Sequence, residues 1–165
     1  EETYVISVPF SKKAIKEGTG GHIKGHNIDN LFSELTLGYH DSISFDSLPI
    51  PFACVSENLV LGEGYVFREG ILSTAMRASM AIPGVFTPVR LNDMVLIDGG
   101  VVNNYPVDVA RQMGADVIIG VDVQSELRPG EELNNTGTIL AQLVELMGQE
   151  KYLENLKWFL KVLYN

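Results

Sequence analysis

Three stretches of this chain carry apolar residues at the spacing of an amphipathic helix. In the first stretch, these residues are Ile28, Leu31, Phe32 and Leu35. Asn27 is placed to cap that helix and Gly38 to end it. The second stretch covers residues 71–82, and the third covers residues 139–163 with a break at Gly148. The pattern therefore predicts packing helices in all three places.

Short unbroken apolar runs alternate with these helices and predict strands. The runs 50–56 and 64–68 are separated by a glycine-containing loop, which predicts a hairpin or a neighbouring antiparallel pair. The run 116–123, DVIIGVDV, is too apolar for a strand with one wet face. The other runs cover residues 4–10 and 94–97.

The stretch from Met94 to Val123 predicts the unit around which the sheet is built. Its first run ends at Asp98, and Asn103 and Asn104 are placed to cap a helix that opens near Pro106. Strand, helix and strand in about thirty residues form a βαβ unit with parallel strands and a right-handed crossover. The predicted fold is therefore α/β, a layered and mainly parallel sheet with flanking helices.

Asp98 ends the first strand of this unit, where open parallel sheets place their ligand chemistry. A carboxylate at that position can orient a nucleophile and accept its proton. Gly99 and Gly100 let backbone or substrate approach without a side chain in the way. The dipeptide Asp-Gly is also common in ordinary turns. The surrounding sequence therefore has to decide whether Asp98 is a proton-accepting residue or only a turn residue.

The sequence around Asp98 resembles the second half of the patatin-like phospholipases, and most closely their bacterial branch. The motifs that carry the resemblance are LPIPFACV at 48–55, FREG at 67–70, ASMAIPGVF at 78–86, PV at 88–89, IDGGVVNNYPV at 97–107 and GAD at 114–116. It covers roughly residues 40–125. Residues 1–125 are accordingly predicted to be the carboxyl-terminal half of a patatin-like hydrolase domain. Residues 126–165 are predicted to be a surface loop and an amphipathic helical tail.

The resemblance implies a lipid acyl hydrolase that uses a serine and aspartate dyad. Asp98 would be the general base, Gly99 and Gly100 would shape the turn, and no cofactor or metal would be needed. No serine in the chain has a glycine two residues away on each side, the pattern of a nucleophile elbow, and the glycine-rich oxyanion loop is absent. In the family both precede the motifs found here. The chain is therefore expected to need a missing amino-terminal half, to have an incomplete fold and to be inactive alone.

Two other classes of function stay open. The chain could be a catalytically silent binding or scaffold module that keeps the fold. It could also belong to a different α/β enzyme that uses Asp98 as a metal ligand or phosphoryl acceptor, with Asp122 as the second acidic residue. Phospholipid, lysophospholipid and simple ester substrates are not distinguished by these residues.

Composition limits the partners of this 165-residue chain. A net charge of −9 and a pI near 4.7 argue against nucleic acid, since a phosphate-binding face needs clustered Lys and Arg. The lone Cys54 lies in an apolar run and is predicted to be a buried hydrophobe. No run reaches the roughly 18 apolar residues of a membrane span. The expected partners are a lipid or ester substrate, the missing half and a possible second copy, and the expected location is cytoplasmic or peripheral to a membrane.

Overall fold

The fold is taken from a computed structural model, which describes residues 21–23, 25–124 and 126–163. The strand predicted at 4–10 lies outside the described residues. The helices are α1 (His26–Leu35), α2 (Leu72–Ser79), α3 (Gly100–Asn103), α4 (Val107–Gln112), α5 (Thr136–Met147) and α6 (Gln149–Leu163). The strands are β1 (Gly21–Ile23), β2 (Ile43–Ser44), β3 (Cys54–Asn58), β4 (Glu63–Phe67), β5 (Glu69–Gly70), β6 (Gly84–Phe86), β7 (Val89–Leu91) and β8 (Met94–Asp98). This mixture confirms the predicted α/β class.

A four-stranded sheet in the order β4-β3-β8-β7 is the largest sheet of the described residues, and each of its pairs is antiparallel. The predicted hairpin forms between β3 and β4. A second tight turn joins β7 to β8, where Asn92 has a φ of 52°, a conformation that Asn tolerates better than most residues. Parallel pairing occurs between β1 and β6 in a separate two-stranded sheet. The predicted mainly parallel sheet is therefore not confirmed.

The run 116–123 forms no strand, so the prediction of a βαβ unit is wrong for the described structure. Four of its apolar side chains lie mostly in water, with Val117 82% and Ile119 88% exposed. Both edges of β8, the strand expected to anchor the unit, are already occupied by β3 and β7. A β-branched run becomes a strand only where a neighbour supplies hydrogen bonds and packing.

The main sheet carries helices on both faces. On one face, α2 packs over β3 and β8 and closes a core. The buried residues of that core are Phe45, Phe67, Leu72, Ala75, Ala78 and Leu96. Helix α3 packs against β3 beside Glu57, which points to the other face, and α5 and α6 contact α3 in turn. The end of β8 therefore lies between two groups of helices.

Most predicted helices are found close to their expected positions. Helix α2 lies within the stretch predicted from apolar spacing, and Gly148 separates α5 from α6. Helix α1 covers the predicted apolar positions, but Asn27 does not cap it, because the helix begins at His26 and Gly25 occupies the N-cap position. Asn103 and Asn104 do not cap the helix near Pro106, because the short helix α3 intervenes and Pro106 itself occupies the N-cap position of α4. Asn103 instead donates from Nδ2 to Asp108 Oδ1 at 3.0 Å. Within the described ranges, no helix is both long enough and apolar enough to cross a membrane.

Candidate active site

Asp98 is the last residue of β8, and the backbone around it is fixed from two sides. Its N–H donates to the carbonyl of Ala81 at 3.0 Å, and the N–H of Gly99 donates to the carbonyl of Ser79 at 3.2 Å. Both carbonyls belong to the end of α2 and the residues just after it. Ser56 of β3 is the cross-strand partner of Asp98. The aspartate therefore sits where the sheet, α2 and the next turn meet.

The carboxylate of Asp98 is half-buried and has one oxygen engaged. The backbone N–H of Gly100 donates to Oδ1 at 2.7 Å, which orients the side chain. Burial raises the pKa of the Asp98 carboxyl above its ordinary value, and the Gly100 hydrogen bond partly offsets that rise. Among the described residues, none donates a hydrogen bond to Oδ2. A carboxylate with one fixed oxygen, one available oxygen and a raised pKa is suited to accept a proton.

Gly99 and Gly100 are required for space rather than for unusual backbone angles. A Cβ on Gly99 would lie 2.0 Å from the carbonyl oxygen of Val55, so only glycine lets this turn approach β3 so closely. The φ of Gly99 is −70°, which any residue can adopt. A Cβ on Gly100 would lie 3.1 Å from both Asp98 Oδ1 and Asn104 Oδ1. The two glycines thus hold the turn against the sheet and leave room around the carboxylate.

The break between α5 and α6 touches the same turn from the opposite side. A Cβ on Gly148 would lie 2.2 Å from the carbonyl oxygen of Gly100. Because that oxygen is backbone, it cannot move aside as a flexible side chain could. Gly148 was predicted only as a helix break, and the structure gives it a second role as a point of close backbone contact.

A buried amide, Asn155 of α6, ties the tail to the segment that follows the glycines. Its Nδ2 lies 3.0 Å from Asn103 Oδ1, 2.9 Å from the Tyr105 carbonyl oxygen and 3.2 Å from Asp108 Oδ1. Asn155 is only 4% exposed. A buried amide with this many partners fixes the spacing between the elements that it joins.

Aromatic packing reinforces this attachment. The ring of Tyr105 makes edge contacts with Tyr152 at 5.7 Å and with Phe159 at 6.0 Å between centroids. These side chains come from the same face of α6 as Asn155, since positions 152, 155 and 159 follow helical spacing. The tail predicted as an amphipathic helix is thus packed against the turn that carries Asp98.

A cleft of about 930 Å³ opens beside Asp98, and most of its lining is apolar. One wall is the segment 82–85 around β6, and the other is the first part of α5. Asp98 and Gly100 contribute to the lining together with Asn104. This volume lies near the upper end of the roughly 300–1,000 Å³ typical of small-molecule sites.

Cys54 and Ser56, two potential nucleophiles near Asp98, are poorly suited to that role. Cys54 and Ser79 line a smaller cavity of about 260 Å³ together with Asp98. Burial raises the pKa of the Cys54 thiol to about 12, despite a hydrogen bond with Ser79, so the thiol stays protonated near neutral pH. Ser56 is fully buried within β3. Neither the thiol nor the Ser56 hydroxyl meets the requirement of an exposed, activated nucleophile.

Asp122, the second carboxylate considered for a metal or phosphoryl reaction, is engaged elsewhere. Its Oδ2 accepts a hydrogen bond from Tyr152 Oη at 2.6 Å, and its Oδ1 accepts one from the Gln124 N–H at 3.0 Å. It belongs to the exposed run 116–123 rather than to a strand beside β8. Across the ranges described, no group of three or more His, Cys, Asp or Glu side chains could hold a metal ion.

Sequence reasoning proposed Asp98, Gly99 and Gly100 as site residues but did not predict the residues that hold their turn in place. Asn155 carried a usable signal, because it is a polar residue on the helix face that also presents Tyr152 and Phe159. A polar side chain on a packed helix face indicates a buried hydrogen-bonding partner. Gly148 carried no signal beyond that of a helix break, since its contact with Gly100 depends on the tertiary structure.

Comparison with known proteins shows which family this sequence matches. The profile of the patatin-like phospholipase family matches residues 10–111, which is more than half of the chain. An uncharacterized NTE family protein of Mycobacterium tuberculosis is 35% identical over 91 residues, covering 54% of this chain and 25% of that protein. Patatin-like phospholipase domain-containing protein 7 of Rattus norvegicus is 33% identical over 141 residues, covering 84% of this chain and 9% of that protein. The chain thus spans a quarter or less of these relatives.

Proposed function

This chain belongs to the patatin-like phospholipase family, and we propose that it contributes the general base Asp98 to a lipid acyl hydrolase whose serine nucleophile lies outside the 165 residues. The substrate would be a phospholipid, a lysophospholipid or a simple carboxylic ester. No metal or organic cofactor takes part in this reaction. Asp98 and the serine would form a dyad, without a histidine between them.

The geometry of Asp98 is the observation that carries this proposal. The carboxylate is half-buried at the end of β8, one oxygen is held by the Gly100 N–H, and the side chain lines a large, mainly apolar cleft. An ordinary turn aspartate would be exposed and would have no cavity beside it. Burial also raises the pKa of this carboxyl toward the range in which a general base works well.

In the proposed reaction, Asp98 takes the proton of the serine hydroxyl as the serine oxygen attacks the ester carbonyl. The resulting tetrahedral intermediate collapses, the bond to the alcohol breaks, and Asp98 returns the proton to the departing alcohol oxygen. Water then attacks the acyl-serine ester and gives a proton to Asp98. When this second intermediate collapses, the bond between the acyl carbon and the serine oxygen breaks, Asp98 returns its proton to that oxygen, and the fatty acid is released.

An exposed apolar surface supports the presence of a further polypeptide half. Every second residue of the run 117–123 is a large apolar side chain that lies mostly in water. These residues are Val117, Ile119, Val121 and Val123, which are 71% to 88% exposed. At about 25 cal/mol per Å² of apolar area, leaving such a run uncovered costs several kcal/mol. We expect the half that carries the serine to cover it.

The first prediction tests Asp98 in the full-length protein. Asp98→Asn keeps the size of the side chain and the oxygen that can accept the Gly100 hydrogen bond, but it removes the ability to take a proton. We expect kcat for a short-chain nitrophenyl ester to fall by about 10²–10⁴-fold, the range for loss of a general base. Circular dichroism should stay unchanged.

Asp93→Asn provides the matched control, because Asp93 is an exposed aspartate in the turn before β8. Its kcat should stay within about twofold of the wild-type value. Normal turnover by folded Asp98→Asn would remove Asp98 from the mechanism. A folded wild-type protein that lacks any ester turnover would favour the catalytically silent scaffold instead.

The second prediction concerns the state in which these 165 residues occur in solution. We expect them to be inactive and to be recovered together with the missing half or as an oligomer that covers the exposed run, because uncovered apolar surface promotes association. Intact-mass spectrometry and light scattering measure this directly. A well-folded monomer of 18.1 kDa with no accompanying polypeptide would contradict the proposed cover.

A further inference from the structure

The cleft beside Asp98 has one wall that comes from the tail of the chain. Helix α5 begins at Thr136, beyond the residues 10–111 that match the family profile. Asp98 lies on the same cleft as this helix. The identity of the tail residues can therefore affect what the cleft accepts, independently of the residues that carry the reaction.

Four small or apolar residues of α5 that line the cleft form a regular stripe, and the polar Thr136 and Glu145 of the same helix line it too. The stripe consists of Gly137, Leu140, Ala141 and Val144, which follow the spacing i, i+3, i+4 and i+7. Positions with this spacing lie on one face of a helix. The facing wall presents Ile82 and Val85, each about two-fifths exposed. The open cleft therefore has an apolar wall on each side.

Polar contacts of Asn135, Gln142 and Glu145 fix the orientation of α5, and Asn135 and Glu145 also line the cleft. Gln142 is buried, and its Oε1 accepts a hydrogen bond from the Arg128 N–H at 3.1 Å. Arg128 also reaches Glu145 Oε1 from Nη1 at 3.4 Å. The side chain of Asn135 accepts a hydrogen bond from the Thr138 N–H at 3.0 Å and caps the start of the helix. The apolar stripe is therefore held toward the cleft.

Leu140 closes the space between the two walls at one point. Gly84 has a φ of +80°, and a Cβ placed on it would lie only 2.7 Å from Leu140 Cδ2. The leucine side chain thus reaches across to the backbone of β6. A ligand long enough to reach Gly84 along the cleft would meet this side chain as a barrier.

We propose that this cleft binds the acyl chain of the substrate and that Leu140 sets the longest chain it accepts. This inference rests on the proposed function and adds the residues that determine specificity. A saturated hydrocarbon chain matches the two apolar walls and needs no hydrogen-bonding partner. The carbonyl end of the chain lies toward Asp98, and the methyl end lies toward Leu140 and Gly84.

The test measures binding rather than turnover, in full-length protein that carries Asp98→Asn. Octanoate, dodecanoate and hexadecanoate displace a dansyl-labelled fatty acid, and fluorescence reports the concentration needed. Leu140→Ala should improve displacement by hexadecanoate about tenfold relative to octanoate, because the barrier at Gly84 is removed. Val144→Phe narrows the cleft and should weaken displacement by hexadecanoate, relative to octanoate, by a similar factor.

Leu146→Ala is the matched control, since Leu146 lies on the same helix and is 41% exposed, as Leu140 is, but does not line the cleft. Its chain-length preference should equal that of the parent protein. General loss of packing would not shift the preference in opposite directions for Leu140→Ala and Val144→Phe. Unchanged preference in both folded variants, or no binding of the probe by the folded parent, would overturn the proposal.

These results can be separated from those on the proposed reaction. Ester turnover by Asp98→Asn tests the general base, whereas fatty-acid displacement tests the cleft and needs no intact dyad. If Asp98→Asn abolishes turnover but Leu140→Ala leaves the chain-length preference unchanged, the proposed reaction is supported and the assignment of the cleft is wrong. If the preference follows Leu140 but Asp98→Asn retains turnover, the cleft stands and the general base is wrong.

Discussion

Two apolar runs in this chain end at an aspartate, and they have opposite fates. MVLID, residues 94–98, becomes the buried strand β8, in which Leu96 is 0% exposed. DVIIGVD, residues 116–122, has a similar pattern but stays irregular, with Ile119 88% exposed. Their difference lies in their neighbours rather than in their composition. Strand β8 pairs with β3 and β7, whereas the second run pairs with no strand of the described residues.

The same difference acts on the two aspartates. Burial at the end of β8 raises the pKa of Asp98, while a hydrogen bond from Tyr152 lowers the pKa of the exposed Asp122. Two carboxylates in similar sequence contexts therefore have pKa values shifted in opposite directions. A general base benefits from the first environment, because a carboxylate with a higher pKa accepts a proton more readily.

The largest effect expected from this comparison is on stability. In the full-length protein, Leu96→Ala should lower the free energy of unfolding by about 3 kcal/mol, because it leaves a cavity in the fully buried core beneath α2. Amide hydrogen exchange at β8 measures the loss locally, without requiring the whole protein to unfold in one step.

Ile119→Ala is the counterpart in the exposed run, and it tests whether another part of the full-length protein covers that run. If the proposed cover is present, this substitution should also cost about 2 kcal/mol or more, since it empties a buried site. A cost below about 0.5 kcal/mol, typical of a surface position, would mean that the run stays in water. That result would leave the two runs as different in the complete protein as they are here.

The local elements could be predicted from sequence because short-range features specify them. The hairpin of β3 and β4 follows from two apolar runs with a glycine-containing loop between them. The helix break at Gly148 and the strand that ends at Asp98 follow from single residues and short patterns. Asp98 was proposed as a site residue because its surrounding motifs, rather than the aspartate itself, are specific.

The pairing of strands and the support of the site could not be predicted in this way. The antiparallel contact between β3 and β8 joins segments about forty residues apart, and the apolar pattern of a strand does not encode the direction of its neighbour. The contact of Gly148 with Gly100 depends on where two helices meet. Asn155 reaches Asn103 across 52 positions of the chain. Each of these features arises from tertiary packing.

The next effect compares two contacts of α6: the contact with the segment that follows Asp98, and the contact with Asp122 in the exposed run. Asn155→Ala should lower the free energy of unfolding by about 2 kcal/mol, because it leaves the Oδ1 of the buried Asn103 without its donor and removes one of the two donors to the Tyr105 carbonyl. Tyr152→Phe removes the hydrogen bond to Asp122, which is exposed to solvent, but keeps the aromatic ring, so it should cost clearly less than Asn155→Ala. Amide hydrogen exchange in α4 and α6 measures both. Equal costs would mean that α6 supports the two regions alike.

The smallest effect is the pH dependence of stability, and its sign should differ between the two aspartates. The pKa of Asp98 is raised above 3.8 in the folded state, so its stabilising contribution is complete below that pH and is lost as pH rises through the folded pKa. The pKa of Asp122 is lowered, so its contribution is present above 3.8 and is lost as pH falls through the folded pKa.

Thermal unfolding of three full-length proteins, the wild type, Asp98→Asn and Asp122→Asn, resolves these signs. Because Asn does not titrate, the Tm of Asp98→Asn relative to wild type should rise between acidic and neutral pH, as the wild-type carboxylate becomes charged in its half-buried site. The relative Tm of Asp122→Asn should fall over the same range, since the wild type gains a favourable charged hydrogen bond with Tyr152. Relative Tm values that change in the same direction would mean that the two carboxylates share one environment in the complete protein. The contrast between the buried and the exposed run would then not extend to the aspartates that end them.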